Sequence, residues 1–144
     1  MPKSTATCNS IVNLMYRATA WANVADNAAA SPLANTFVAL HTADLTAATN
    51  SQAENETAYT NYARQSVARS TGWDAASGGA TQNAATISFP QCGVTGATLT
   101  HVSTGTTVSG ATPVWHYGAL NSSLVVSSGI TPQFAAGALT VTES

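Results

Sequence analysis

Three histidines, His41, His101 and His116, are the residues best suited to acid–base or metal chemistry near neutral pH. All three fall inside predicted strands and not at strand ends. A triad of His101, Asp44 and a serine can be drawn, but the chain has no Gly-x-Ser-x-Gly nucleophile elbow. A zinc site from His101 and His116 has no carboxylate or thiol near it in sequence to complete it. We therefore expect hydrogen-bonded strand histidines, with no catalytic residues and no metal ligands.

Two carboxylates, Glu54 and Glu56, are separated by one residue in a polar connection spanning residues 43–61. Paired carboxylates perform acid–base chemistry in glycosidases. Here the two glutamates sit in a polar loop with no surrounding aromatic cleft, so we expect a solvated loop. Phosphate-binding glycine motifs are also missing from the sequence. The sequence thus predicts no enzyme activity and no cofactor.

The aromatic run Trp115-His116-Tyr117 is the best candidate for a recognition surface. Strand alternation predicts Trp115 and Tyr117 on one face and His116 on the other. Either this face belongs to the core, or it is exposed and stacks on a sugar ring or on a partner protein.

Charge is scarce: 7% of the residues are charged, against about 25% in typical soluble domains. The formal net charge is −2, and the only basic residues are Lys3, Arg17, Arg64 and Arg69. Since phosphate neutralisation supplies most nucleic-acid affinity, we expect no nucleic-acid partner. Apolar stretches are too short for a membrane span, so we expect no membrane association. The neutral surface suits either a chain covered by neighbouring subunits or an ordinary soluble β-domain.

The two cysteines, Cys8 and Cys92, lie far apart and form no metal motif. No signal peptide follows Met1, so we expect synthesis in a cytoplasm and free thiols.

Residues near the N-terminus predict one amphipathic helix. Its apolar stripe runs Ile11, Leu14, Met15, Ala18 and Ala22. We expect Asn9 or Ser10 to cap its start and the helix to fade over residues 22–26. A linker over residues 28–32 follows, because Pro32 stops a helix.

After that, the pattern changes to short strands broken by glycine and proline. They are predicted at 35–42, 63–70, 85–89, 99–102, 114–120, 123–126 and 138–142. This predicts a mainly β fold, an antiparallel β-sandwich or jelly-roll-like single domain with an N-terminal α-helix. We expect residues 1–34 to form the helix and arm, and residues 35–144 to form the β-sandwich.

Several ordered segments resemble a family of small tailed-phage virion proteins, labelled head decoration (cement) proteins or putative tail fibre proteins. The resemblance is carried by residues 37–44 (FVALHTAD), 62–65 (YARQ), 83–90 (NAATISFP), 101–102 (HV) and 134–142 (FAAGALTVT). A Trp-Gly pair that often follows the Phe-Pro strand in that family is replaced by residues 91–96 (QCGVTG).

This resemblance implies a virion structural protein made in the host cytoplasm. We expect a capsid cement protein on the outer capsid surface, working as a homotrimer that clamps neighbouring major capsid proteins. The alternative is a tail fibre or baseplate component, with receptor or glycan binding. We also expect Arg64 to pair with Glu54 or Glu56, or else to contact another subunit, while Tyr62 packs.

Overall fold

A computed structural model describes residues 3–25, 32–45 and 51–144. Helix α1 spans Thr5–Arg17. The strands in this part of the chain are β1 (Asn35–His41), β2 (Gln65–Ala68), β3 (Ala80–Gln82), β4 (Ile87–Ser88), β5 (Ala97–Gly105), β6 (Val114–Val126), β7 (Gln133–Phe134) and β8 (Thr140–Thr142).

The strands form one sheet of four strands, in the order β2-β1-β5-β6, and two sheets of two strands, β3-β8 and β4-β7. Strand β5 pairs antiparallel with both β1 and β6, and β3 pairs antiparallel with β8. The predicted fold class is confirmed: the protein is mainly β, with antiparallel sheets and an N-terminal helix. No helix in the described ranges is long and apolar enough to cross a membrane.

The chain divides into two compact units. The first comprises Met1–Asn35, Val67–Ile87 and Phe134–Ser144. The second comprises Thr36–Ser66 and Ser88–Gln133.

Within the first unit, α1 buries Cys8, Val12 and Tyr16, which are spaced by four residues and so lie along one face. Tyr16 meets Trp73 edge to face, with ring centroids 4.7 Å apart. The predicted stripe was therefore wrong, because the helix turns a neighbouring face inward and leaves Ile11, Leu14 and Met15 only half-buried. An aromatic pair of this kind outweighs aliphatic periodicity, since Trp and Tyr bury the most area.

Both predicted ends of α1 were also wrong. The N-cap is Ser4, whose hydroxyl accepts the Thr7 N–H at 3.2 Å. The helix ends at Arg17, followed by Ala18 with φ 54°. Arg69 donates to the carbonyl oxygens of Met15 and Leu14, and these would otherwise lack partners in the last turn. A cap supplied by a residue so distant in sequence leaves no local signal. The predicted linker at 28–32 falls mostly outside the described residues.

Asn83 is the polar centre of the first unit. Its buried side-chain amide donates to the carbonyl oxygens of Ala85 and Ala135, both at 2.8 Å. Its side-chain oxygen accepts the Leu139 N–H at 2.8 Å, and its own carbonyl accepts the Gly137 N–H at 2.8 Å. One asparagine thus ties the segment before β4 to the segment before β8.

The strand predictions hold in outline and differ in extent. Ile87 and Phe89 are both buried, as their alternation predicted. The strands predicted at 114–120 and 123–126 are one continuous strand, β6. A register shift separates the pairs Leu99–Leu124 and His101–Ala119: between them β6 advances five positions while β5 advances two. The turn-forming residues between them are absorbed in this irregularity instead of ending the strand.

Replacing Asn83 by alanine should lower the free energy of unfolding by about 2 kcal/mol, because the buried Leu139 N–H and the partly buried carbonyl oxygens of Ala85 and Ala135 would lose their partner. Urea unfolding measures this loss. The matched control is Asn121→Ala, at an exposed position of β6, which should change stability by less than about 0.5 kcal/mol. Equal effects from the two variants would contradict the role assigned to Asn83.

Candidate functional site

A buried ion pair joins Arg64 to Glu56 in the second unit. The Arg64 side chain is 1% exposed. Its Nε and Nη2 atoms each donate to one Glu56 carboxylate oxygen at 2.7 Å. Two parallel charge-assisted bonds give the strongest form of this interaction. The predicted pairing of Arg64 with a loop carboxylate is confirmed, and Glu56 is the partner.

The remaining guanidinium N–H groups bind a second loop. Nη2 also donates to the Gly110 carbonyl at 2.8 Å. Nη1 contacts the Thr107 carbonyl and Gln52 Oε1 at 3.2 Å, and Thr112 Oγ1 at 3.3 Å. The Arg64 side chain therefore binds both the 51–56 segment and the 107–112 connection. Protein oxygen atoms accept hydrogen bonds from its Nε, Nη1 and Nη2 atoms.

Tyr62 reinforces the same carboxylate. Its hydroxyl donates to Glu56 Oε1 at 2.9 Å and accepts the Leu40 N–H at 3.1 Å. The ring stacks on Phe89 and meets Tyr59 edge to face, with centroids 6.3 and 5.4 Å away. Burial raises the pKa of Tyr62 well above its usual value, with the nearby Glu56 acting in the same direction. Tyr62 thus packs as predicted and keeps its proton.

His41 belongs to a relay of buried hydrogen bonds. The Glu54 carbonyl lies 2.8 Å from Nδ1, so Nδ1 must carry a proton and donate it. Ser103 Oγ lies 2.8 Å from Nε2, while Gln52 Nε2 donates to the same hydroxyl at 3.2 Å. These contacts fit a neutral His41 whose Nε2 accepts the Ser103 proton. Burial lowers the pKa of His41, consistent with that neutral form.

Gly105 makes the approach of Gln52 feasible. A Cβ at this position would collide with the Gln52 side-chain amide and would lie 2.8 Å from the Pro113 carbonyl. Gln52, Ser103 and Gly105 were not singled out from the sequence. The one available signal was a glycine at the end of a strand, which often marks a close approach.

His101 is the histidine for which a triad was considered. The structure does bring it to Asp44: Nε2 and Oδ1 are 3.4 Å apart. The other ring nitrogen, Nδ1, forms a hydrogen bond with the Thr100 hydroxyl, and the two atoms are 2.9 Å apart. The Asp44 side chain is 72% exposed, so water screens the pair and it does not hold the ring as a buried carboxylate does. With both nitrogens engaged, His101 has none left to activate a serine.

The histidines do not converge on a metal-binding arrangement. His116 lies opposite Thr104 in the register of β5 with β6, three residues from His101. Side chains alternate along β5, so His101 and Thr104 point to opposite faces. In the described ranges, no three His, Cys, Asp or Glu side chains are grouped closely enough to hold a metal ion. Glu56 is committed to Arg64, so the two loop carboxylates do not form an acid–base pair.

Strand β6 carries the aromatic run. Trp115 is half-buried and Tyr117 is 44% exposed. A register shift between Thr104 and Gly105 falls at Trp115 and interrupts the regular alternation on which a shared aromatic face was predicted. Leu124 and Val125 are exposed toward the end of the strand, and Val94, three residues before β5, is exposed as well.

A family model described as "Podophage GP4 fiber I protein gp80" matches residues 2–142. The chain belongs to this fibre protein family. No curated protein matches the chain. The resemblance to phage virion proteins is thereby confirmed, and the protein is a phage virion protein related to fibres. The match does not distinguish capsid cement from fibre, but the name of the fibre I family favours the fibre alternative.

Two of the segments that carried the resemblance, residues 37–44 and 62–65, have a structural role in this member of the fibre family. Residues 62–65 place Tyr62 and Arg64 on the same Glu56 carboxylate. Residues 37–44 supply β1, whose carbonyl at Leu40 accepts the Thr57 N–H at 2.9 Å. Together these two segments bind the loop at Glu56 and Thr57 to the four-stranded sheet.

Replacing Arg64 by methionine should lower the free energy of unfolding by about 3 kcal/mol, because the Glu56 side chain, which is 18% exposed, would lose its counter-charge. Combining it with Glu56→Leu should cost less than the sum of the two single changes. Arg17→Met, which removes one bond to the Trp73 carbonyl, is the matched control, with an expected loss of about 1 kcal/mol. Additive effects of the Arg64 and Glu56 substitutions in urea unfolding would contradict a coupled pair.

Stability should fall as the pH drops below 6.5. Above that pH, His41 is neutral in both the folded and the unfolded chain. Below it the unfolded chain binds a proton that folded His41 resists, so the free energy of unfolding decreases by up to about 1.4 kcal/mol per pH unit from this group. In thermal melts between about pH 7 and pH 5, His41→Gln should lose this part of the slope and His116→Gln should keep it. An unchanged slope in His41→Gln would refute the assignment.

Proposed function

We propose that the protein is a non-catalytic structural subunit of the phage fibre, acting through packing against other virion subunits. The observation that carries this proposal is the exposed, uncharged strand β6 in a member of a fibre family. The internal network supports it, since the side chains best suited to chemistry are engaged in holding loops. His41, Glu56 and Arg64 all have fixed protein partners.

The distribution of charge supports the same proposal. From residue 75 to residue 142 the sequence contains no Lys, Arg, Asp or Glu. Strands β5 and β6 both lie within this stretch. Burying an ionised side chain at an interface requires its desolvation, so a surface without charges is covered at lower cost. We propose that other copies of this chain and other virion proteins cover the uncharged surface formed by β5 and β6.

A capsid cement protein is the second candidate, and it keeps the earlier expectation of a homotrimer clamping major capsid proteins on the outer capsid. The chain has no internal repeat from which a long shaft could be built, and this favours a compact decoration role. The family name favours the fibre. Both roles need the same neutral contact surface.

A receptor- or glycan-binding fibre tip is a variant of the first proposal. Tyr117, at 44% exposed, is the side chain available for stacking on a sugar. A glycan array that shows binding lost on Tyr117→Ala, and retained in Asn121→Ala, would add this activity to the structural role.

Copy number in purified virions separates the fibre from the capsid. A fibre subunit should be present at a small fraction of the major capsid protein, because fibres are few per particle, whereas a cement protein should approach it in stoichiometry. Quantitative mass spectrometry of gradient-purified particles measures the ratio. A ratio near that of the major capsid protein would overturn the fibre assignment in favour of the cement.

A further inference from the structure

All three histidines of the chain lie in the second unit, and the sequence of the first unit contains none. Histidine is the side chain whose ordinary pKa lets it change charge between pH 5 and pH 8. The contribution of histidine to any pH response of the fold therefore arises in the second unit. His41, on β1, is completely buried, whereas His101 and His116, on β5 and β6, are half-buried.

The hydrogen bonds of His41 leave no acceptor for a second ring proton. Nδ1 donates to the Glu54 carbonyl, and Nε2 lies 2.8 Å from Ser103 Oγ. Gln52 Nε2 donates to the same hydroxyl, which fits a Ser103 proton that is donated to the ring. If Nε2 carried a proton, the Ser103 hydroxyl would have to turn its own proton away from the ring and lose its present acceptor. Ser103 is 1% exposed, so this rearrangement is costly.

The charged groups around His41 do not compensate a positive charge on its ring. Glu56 forms a backbone bridge with His41, but Arg64 binds both of its carboxylate oxygens. His101 is the direct cross-strand partner of His41, so a charge on one ring would repel a charge on the other. The Asp44 carboxylate lies 3.4 Å from His101 Nε2 and attracts a proton there. Burial foremost, then Arg64 and His101, lowers the pKa of His41 by more than the hydrogen-bond acceptor and Glu56 raise it.

We propose that the second unit is an acid-responsive part of the fold, which opens at mildly acidic pH while the first unit stays folded. The open second unit takes up the proton that buried His41 resists, so each fall in pH below 6.5 favours the open form. Separate parts of one protein can open with different free energies. The first unit has its own polar centre at Asn83 and no histidine to couple it to this change.

The response includes the surface through which the protein is proposed to pack. Strands β5 and β6 belong to the second unit. Opening of this unit would loosen the uncharged surface that they form, so acid would weaken contacts with neighbouring subunits. The opening itself depends on His41 and its surroundings and not on the fibre assignment, so it can be tested on the isolated chain.

Hydrogen exchange of the full wild-type chain at pH 7 and pH 5 tests the proposal. Each amide is described by its protection factor, the ratio of the intrinsic to the observed exchange rate, which removes the direct effect of pH on the exchange chemistry. Protection factors in β1 and β5 should be at least about tenfold lower at pH 5. Those in α1, β3 and β8 should change by less than about twofold. An equal fall in both units, or unchanged protection in β1 and β5, would overturn the proposal.

Two substitutions identify the histidine that is responsible. His41→Gln removes the titrating ring and keeps a side chain that can donate and accept hydrogen bonds, so the fall in β1 and β5 should shrink to less than about threefold. His116→Gln is the matched control, because His116 lies on β6 in the same unit, and it should keep the full fall. A full fall in His41→Gln would contradict the role of His41.

Nitrogen NMR of the imidazole rings gives a test that needs no variant, and it holds even if His41→Gln fails to fold. In the folded wild-type chain, His41 should remain neutral at about pH 6, where an ordinary histidine is mostly protonated. A protonated His41 at that pH would overturn the proposal, because the folded chain would then not resist the proton.

Discussion

The second unit depends on one buried cation. Arg64 is almost completely removed from water, and an isolated guanidinium at such a position would be strongly destabilising. It is tolerated because a bidentate carboxylate neutralises it and because carbonyl and hydroxyl oxygens accept its remaining protons. This requirement fixes the position of the loops. If the segment carrying Glu56 or the connection carrying Gly110 moved away, the buried guanidinium would lose its counter-charge or a hydrogen-bond acceptor. Replacing both charges by apolar groups need not be destabilising, so the pair is best understood as specifying the position of the loops.

The Arg64–Glu56 ion pair is connected to a chain of hydrogen bonds between uncharged side chains. Gln52 accepts from Arg64 and donates to Ser103, which in turn donates to His41. Each group has a role as donor or acceptor, and a neutral His41 whose Nε2 accepts the Ser103 proton fits these roles. A network of this kind is rigid when every member is satisfied, because changing one proton disturbs the others. These polar side chains therefore hold the structure of the second unit together.

The parts of the fold that were predictable are those set by local pattern. The change from helix-like to strand-like spacing gave the fold class, and the alternation of Ile87 and Phe89 gave their burial. The pairing of Arg64 with a loop carboxylate followed from their chemistry. Local pattern failed where distant residues decide. Arg69 ends the helix from a position remote in sequence. Trp73 determines which helix face turns inward. The irregular pairing of β6 with β5 carries the strand through residues that normally form a turn.

The contrast between the interior and the sheet edge suggests how the protein works. Its charged residues include a buried pair used for architecture, whereas the stretch holding β5 and β6 has none. A virion subunit gains from this division, since a ligand that binds only the assembled state stabilises it, and many weak contacts add through multivalency. We expect β6 to be solvent-exposed only in the free chain.

Hydroxyl-radical footprinting of the free protein and of intact virions tests that claim most directly, with Tyr117 as the reporter. We expect Tyr117 to be oxidised readily in the free chain and to be protected in the virion. Equal oxidation of Tyr117 in both would contradict it, because β6 would then remain exposed after assembly.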